Sequence, residues 1–146
     1  MMFTTLLPIA LIGLVSASPV PAGDIVSLEK RQSATTCGST SYSQLAVQQS
    51  YGAGADHTMK RTVVRSGGGS NYPHVFNNKE QLSFPACSGL TLYEFPLEPE
   101  NQVFTTGDAA GADRVVYATT GPNQFTYCGA MTHTGAPTRS GFVLCS

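Results

Sequence analysis

The chain has 146 residues, which is room for one domain, and only 12% of them are charged. Eight Lys and Arg against nine Asp and Glu give a net charge of −1, which excludes binding of nucleic acid by bulk positive charge. An RNA or DNA ligand would have to be held by a few well-placed groups. The fifteen glycines and nine prolines, among many Thr, Val, Tyr and Phe, predict short strands joined by turns.

The N-terminal segment has the pattern of a secretory leader. Its apolar run, "LLPIALIGLV", is far shorter than the ~20 residues that span a bilayer, and small residues follow in "VSA". Lys30-Arg31 is a dibasic pair that predicts processing, although such a pair is also found as plain surface charge. We therefore expect a secreted, extracellular protein with a signal peptide at 1–17, a pro-segment at 18–31 and a domain at 32–146.

All four cysteines fall in the predicted domain, at Cys37, Cys87, Cys128 and Cys145. An even number of cysteines in a small secreted chain predicts two disulfides, and the residues alone leave three pairings open. Metal ligation is the alternative, but the sequence has no Cys-x-x-Cys pair.

Within the domain, one segment has helical character. In "SYSQLAVQQSY", residues 41–51, Ser41 or Ser43 can cap a helix, and "GAGAD" at 52–56 is expected to end it. Segments rich in β-forming residues follow, separated by Gly, Pro or Asn turns, at 61–65, 72–76, 90–97, 113–120, 124–134 and 141–145. The glycine run at 66–69 reads as a loop. The short spacing favours antiparallel connections, so we predict an α+β domain with one helix packed on a twisted antiparallel sheet.

Four of the predicted strands each carry one ionisable residue. Because side chains alternate along a strand, Tyr72, His74 and Phe76 are expected to share a face, with Pro73 and Val75 on the other. The other three ionisable residues are Glu94, Arg114 and His133. A sheet can gather these groups on one face, where they would supply a base, an acid and a cation suited to phosphate.

Each of these residues also has a structural interpretation. A lone strand histidine is often structural, a strand Glu beside a strand Arg can be a simple ion pair, and Asp113-Arg114 can be a turn. His57 has no such neighbours and is expected to be a surface residue after the helix. Lys60, Arg61 and Arg65 form a small basic cluster that reads as a solvated loop face, with contact to an RNA backbone as the alternative.

Six motifs occur in a recognisable order: "CGSTSYS", "SNYPHVFNNKE", "LYEFP", "GADRVVY", "THTGA" and "GFVLC". In this order they resemble the guanyl-specific fungal ribonucleases, the ribonuclease T-one family, over nearly all of residues 32–146. The resemblance implies the microbial ribonuclease fold, in agreement with the α+β prediction. It also supports a disulfide between Cys37 and Cys145, with Cys87 and Cys128 as the second pair.

Position by position, the resemblance implies a catalytic set of Tyr72, His74, Glu94, Arg114, His133 and Phe142. It implies a guanine-binding loop of Phe76, Asn77, Asn78, Lys79 and Glu80. Glu94 would be the general base, kept ionised by neighbouring cations and assisted by His74, and His133 would be the general acid. The reaction would cut single-stranded RNA after guanosine through a 2′,3′-cyclic phosphate and then a 3′-phosphate. DNA, which lacks the 2′-OH, would not be a substrate, and neither a metal nor another cofactor is required.

Two positions depart from the family pattern. Lys79 stands where an aromatic residue often covers the base, and "PTRSG" at 137–141 replaces a shorter segment that contains asparagine. The alternative to an active, monomeric endoribonuclease is a binding or toxin-like module that uses the same scaffold without turnover. Serine hydrolase chemistry is disfavoured because no Gly-x-Ser-x-Gly motif is present.

Overall fold

A computed structural model of the chain describes residues 32–146. The predicted signal peptide and pro-segment lie outside these residues. The fold contains one long helix, α1 at Gln44–Lys60, and a short 3-10 turn at Pro85–Cys87. Its strands are β1 Thr35–Cys37, β2 Thr40–Tyr42, β3 Val64–Arg65, β4 Asn71–Tyr72, β5 His74–Phe76, β6 Leu92–Pro96, β7 Asp113–Gly121, β8 Gln124–Thr132 and β9 Val143–Leu144.

The strands form one main sheet and two small hairpins, and every pairing is antiparallel. The five-stranded main sheet has the order β5-β6-β7-β8-β9, while β1 pairs with β2 and β3 pairs with β4. The predicted α+β architecture is therefore confirmed. The first and last predicted strands, 61–65 and 141–145, are observed as the two-residue strands β3 and β9. Among the described residues, no helix is both long enough and apolar enough to cross a membrane.

The prediction that "GAGAD" ends the helix is wrong, because α1 continues through it to Lys60. Ser43 caps the start by accepting a hydrogen bond from the Ala46 N–H. Gly54 is buried where α1 crosses the sheet, and a Cβ there would come within 2.8 Å of the Tyr117 ring. The close approach that glycine permits offsets its intrinsic cost of ~1 kcal/mol in a helix. His57 consequently lies inside the last part of α1, half-buried, and not after it.

The helix ends at Arg61, whose φ of 56° is left-handed. The predicted basic cluster is therefore divided between elements. Lys60 pairs with Asp56 one turn earlier on α1, with 2.8 Å between Nζ and Oδ2, and Arg65 is exposed on β3. All three residues are exposed, as expected for a solvated face, and contact with an RNA backbone stays a prediction.

The predicted strand at 72–76 is interrupted at a cis Tyr72–Pro73 bond. Tyr72 therefore ends β4, which pairs with β3, whereas His74 begins β5 at the edge of the main sheet. The expected neighbourhood is nevertheless present, since the Tyr72 and His74 rings lie 4.9 Å apart. Pro removes a backbone donor, which is why a continuous ladder cannot run through this segment.

The main sheet separates two apolar clusters. The helix-side cluster packs Ala46 and Val47 of α1 against Phe95, Val115 and Tyr117. The site-side cluster, on the other face, contains Phe76, Phe84, Cys87, Leu92, Val116, Ala118, Met131 and Phe142. Alternation along β6 and β7 produces this division, because successive side chains point to opposite faces.

Both disulfides predicted from the family resemblance are present. Cys37 bonds to Cys145, which joins β1 to the C-terminal segment, and Cys87 bonds to Cys128, which joins the 3-10 turn to β8. All four cysteines are therefore paired.

Candidate active site

Strand register brings the predicted ionisable residues to one face of the sheet. His74 of β5 lies directly opposite Glu94 of β6, and Glu94 lies opposite Val116 of β7. Arg114 is two residues before Val116 and so points to the same side. This is the face opposite α1, which leaves the ionisable groups free of the helix.

Glu94 is at the centre of the group and is only 5% exposed. Its Oε1 lies 3.4 Å from Nε2 of His74 and 3.6 Å from Nε of Arg114. Burial raises the pKa of this carboxyl above its ordinary value, although the charges of His74, Arg114 and His133 act to lower it. The cations were expected to keep Glu94 ionised, and burial outweighs their attraction. A carboxylate with a raised pKa is a stronger proton acceptor, as a general base requires.

Arg114 is held rigidly by the backbone. Its Nη1 donates to the carbonyls of Ala110, Gly111 and Asp113 at 2.9–3.0 Å, and its Nη2 donates to the Tyr72 hydroxyl at 3.0 Å. Within residues 32–146, its Nε is the buried side-chain nitrogen or oxygen without a hydrogen-bond partner. The guanidinium is therefore a fixed positive charge with a free N–H beside Glu94.

Tyr72 and His74 complete this side of the site. The Arg114 guanidinium carbon lies 5.0 Å from the centre of the Tyr72 ring, which is a cation–π distance. His74 is accessible, with 46% of its side chain exposed, and its Nδ1 donates to the Val75 carbonyl at 3.2 Å. This leaves Nε2 directed toward Glu94.

His133 and Phe142 form the other side. His133 follows β8, and its Nδ1–H donates to the Gly141 carbonyl at 2.6 Å, because a carbonyl oxygen can only accept. The imidazole stacks on the Phe142 ring at 3.8 Å between centroids. These two contacts fix the ring and leave Nε2 as the nitrogen that can exchange a proton with a ligand.

A cavity of about 200 Å³ adjoins Glu94, His74 and Phe142. Its other wall is Phe76 and the predicted base-binding residues 77–80, together with Ser140 from the segment 137–141. Asn78 has a φ of 48°, and its side chain both donates to the Leu82 carbonyl and accepts from the Leu82 N–H. Lys79 and Glu80 are exposed at the rim of this cavity.

Sequence reasoning missed one buried structural carboxylate next to the site and two contributors to the site itself. Asp113 is not a turn residue but a buried carboxylate that accepts from the Tyr42 and Thr132 hydroxyls at 2.5 and 2.6 Å. The Gly141 carbonyl orients His133, and Ser140 lines the cavity. An acid preceding an apolar strand was a usable signal for Asp113, whereas no sequence pattern marks the other two. Among residues 32–146, no group of three or more His, Cys, Asp or Glu is placed to hold a metal ion.

Comparison with known proteins gives consistent matches. A family model described as ribonuclease matches residues 30–146. Guanyl-specific ribonuclease F1 of Fusarium fujikuroi is 41% identical over 137 residues, which cover 94% of this chain and 89% of the relative. Guanyl-specific ribonuclease Pc of Penicillium chrysogenum is 41% identical over 112 residues, 77% of this chain and 97% of the relative. Extracellular guanyl-specific ribonuclease Fl1 of Gibberella baccata is 37% identical over 113 residues, 77% and 96% respectively.

Proposed function

Because this chain belongs to the ribonuclease family, and is thus an RNA-cleaving enzyme, we propose that it cuts single-stranded RNA on the 3′ side of guanosine. The observation that carries the proposal is the position of Glu94. This buried carboxylate lies between a histidine and an arginine, beside a cavity whose other wall is the segment 76–80. Proton transfer and base recognition would therefore occur in one continuous cleft.

In the first step, Glu94 accepts the proton of the ribose 2′-OH, with His74 assisting. The 2′-oxygen then attacks phosphorus, and the bond from phosphorus to the 5′-oxygen breaks. Negative charge builds on the phosphoryl oxygens as this occurs; the fixed Arg114 guanidinium stabilises it by its positive charge, and the Tyr72 hydroxyl stabilises it by donating a hydrogen bond.

His133 in its protonated form gives a proton to the leaving 5′-oxygen. Its Nδ1 is occupied by the Gly141 carbonyl, so the transferred proton comes from Nε2. Phe142 transfers no proton, but it holds the imidazole plane and keeps that side of the site apolar. The products are a 2′,3′-cyclic phosphate and a free 5′-OH, and water later opens the ring to a 3′-phosphate with the proton roles reversed.

Guanine selection belongs to residues 76–80. The Glu80 carboxylate can accept from the N1–H and the exocyclic amine of guanine, and the backbone N–H groups of Asn77–Lys79 can donate to O6 and N7. Phe76 is buried beneath the cavity. Adenine presents the opposite pattern of donors and acceptors, which would leave these groups unpaired.

We also propose that the protein is secreted as a monomer after removal of residues 1–17 and 18–31. The apolar N-terminal run, the Lys30-Arg31 pair and two disulfides support this, since disulfides persist in oxidising compartments. The Gibberella relative is named as extracellular.

The test is digestion of a defined RNA that contains all four bases, with mapping of the cut sites and of the 3′ ends. We expect cuts after G with 2′,3′-cyclic ends, equal activity in the presence of EDTA, and no cleavage of the matching DNA. Binding of RNA without any cleavage would instead favour a module without turnover. Activity that EDTA abolishes and a divalent metal restores would refute the mechanism.

A further inference from the structure

The segment 77–84, here called the recognition loop, is a thin wall between two cavities. The 200 Å³ cavity of the active site lies on one side. On the other side is a larger cavity of about 470 Å³, lined by Asn77 and Asn78 and by residues 82–85, 87–90 and 92. Because open space lies behind the loop, close packing supports it only in part, through Leu82 and the buried ring of Phe84.

The hydrogen bonds of the recognition loop make it rigid but do not attach it to the sheet. Asn78 and Leu82 exchange two side-chain to backbone bonds at 2.8 and 2.9 Å, and the Gln81 N–H donates to the Asn78 carbonyl at 3.0 Å. All of these partners lie within the loop. Within the loop Leu82 packs against the site-side cluster, and the buried rings of Phe76 of β5 and of Phe84 anchor its two ends.

Phe84 provides the second attachment and is only 6% exposed. Its ring packs edge-on against Phe76, with 6.5 Å between centroids, and lies over Gly129 of β8. A Cβ at Gly129 would come within 3.1 Å of this ring, so the absence of a side chain at Gly129 allows Phe84 to pack against the strand. The contact to Phe76 continues to the active site, because Phe76 packs against Phe142, which stacks on His133.

The Cys87–Cys128 disulfide holds this attachment in place. Cys87 ends the 3-10 turn that follows Phe84, and its N–H donates to the Phe84 carbonyl at 2.9 Å. Cys128 lies at a β-bulge, since the register passes from Val116–Gly129 directly to Tyr117–Tyr127. The bulge re-aims the Cys128 side chain, as bulges commonly do. The disulfide thus ties the end of the recognition loop covalently to the central region of the sheet.

We propose that Phe84 and the Cys87–Cys128 disulfide are positioning residues for base recognition. They touch neither the base nor the reacting atoms, but hold the recognition loop where Glu80 and the backbone of 77–79 meet guanine. This inference rests on the proposed guanosine specificity. Misplacing aligned groups by about 1 Å can cost ~10²-fold. Loss of the attachment should therefore lower the preference for G over A by ~10–100-fold, mainly through KM, while kcat changes by only a few-fold.

The test compares two disulfide variants. In Cys87→Ala/Cys128→Ala, the ratio of kcat/KM for GpC to kcat/KM for ApC should fall by ~10–100-fold. Calorimetry should also show weaker binding of guanosine 3′-monophosphate to this variant. In Cys37→Ala/Cys145→Ala the ratio should be unchanged. The Cys37–Cys145 disulfide closes a longer loop than Cys87–Cys128, with sequence separations of 108 and 41, so the chain-entropy model predicts that its removal costs more stability. A purely structural effect would therefore appear more strongly in this control.

Phe84→Leu gives an independent arm in case the first disulfide variant does not fold. Its control is Phe125→Leu, a partly buried phenylalanine that packs against the helix-side cluster. The Phe84 variant should lose selectivity and the Phe125 variant should not, at a temperature where circular dichroism shows both to be folded. Wild-type selectivity in the Phe84 and Cys87/Cys128 variants, or equal losses in both members of a pair, would overturn the inference. Wild-type protein that cuts after every base equally would instead overturn the proposed function.

Discussion

Removing the Asp113 carboxylate should destabilise the fold by an amount that the structure specifies. The side chain is 8% exposed and accepts two short hydrogen bonds, from Tyr42 of β2 and Thr132 of β8. It thus joins the N-terminal hairpin to two strands of the main sheet. Burial and the bond to Asp113 raise the pKa of Tyr42 well above its ordinary range, so this phenol remains a donor at any working pH.

A hydrogen bond to a charged group contributes ~1.5–3 kcal/mol to stability, and a buried hydroxyl left without its partner adds to the cost. Asp113→Ala removes both bonds, which gives a loss of ~3–6 kcal/mol in the free energy of unfolding. Tyr42→Phe removes one bond and leaves the Thr132 bond intact, so it should cost about half as much. Small domains are stable by only ~5–15 kcal/mol, so both losses are large enough to measure.

The assay is urea unfolding of the oxidised protein at neutral pH, followed by far-UV circular dichroism and by tyrosine fluorescence, since the chain has no tryptophan. We expect a lower midpoint with an unchanged slope for both variants, and a loss for Asp113→Ala that is about twice the loss for Tyr42→Phe. If Asp113→Ala lowers the free energy of unfolding by less than ~1 kcal/mol, the hydrogen bonds of Asp113 to Tyr42 and Thr132 do not stabilise the fold as argued.

Three further predictions concern the site. Glu94→Gln should lower cleavage by ~10²–10⁴-fold. Burial raises the pKa of Glu94 in the folded state, so the folded state binds a proton more tightly than the unfolded state does. Wild type should therefore lose stability relative to this variant as pH rises from the unfolded-state pKa of ~4.3 to the folded-state pKa. A difference in thermal midpoint that stays constant from pH 3 to 7 would contradict that shift. His133→Ala should lose ~10²–10⁴-fold in kcat, which initial-rate assays on a guanosine dinucleotide would reveal. Lys79→Tyr should tighten binding of guanosine 3′-monophosphate in calorimetry, since an aromatic stack contributes ~1–3 kcal/mol per base; unchanged affinity would show that this position does not cover the base.

The sequence predicted the parts of the molecule that follow from local patterns. Alternation and turn residues indicated an antiparallel sheet that presents Glu94 and Arg114 on one face. The observed strand register places both residues on the face of the sheet that does not contact α1. The helix length could not be predicted in the same way. "GAGAD" is a breaker by propensity, and the reason it stays helical is the contact of Gly54 with Tyr117, which is 63 positions further along the chain.

The contacts that orient the side chains of the site could not be predicted from the sequence, for physical reasons. The carbonyls that hold Arg114 and His133 are backbone groups, and any residue type can supply a backbone carbonyl. The packing of Phe84 on Gly129 occurs next to a β-bulge at Cys128. A bulge depends on how two strands pair and not on the sequence of one strand. Patterns of side chains therefore indicate which groups react, but not how they are aimed.

The division of the core by the sheet has a consequence for how such a protein can change over time. The residues that pack α1 lie on one face, and the segment proposed to contact the base lies on the other. Substitutions that alter nucleotide preference can therefore accumulate at 77–83 and 137–141 without repacking the helix layer. New specificities are then reachable by small steps, each compatible with folding, because the layer that carries most of the large buried side chains is left intact.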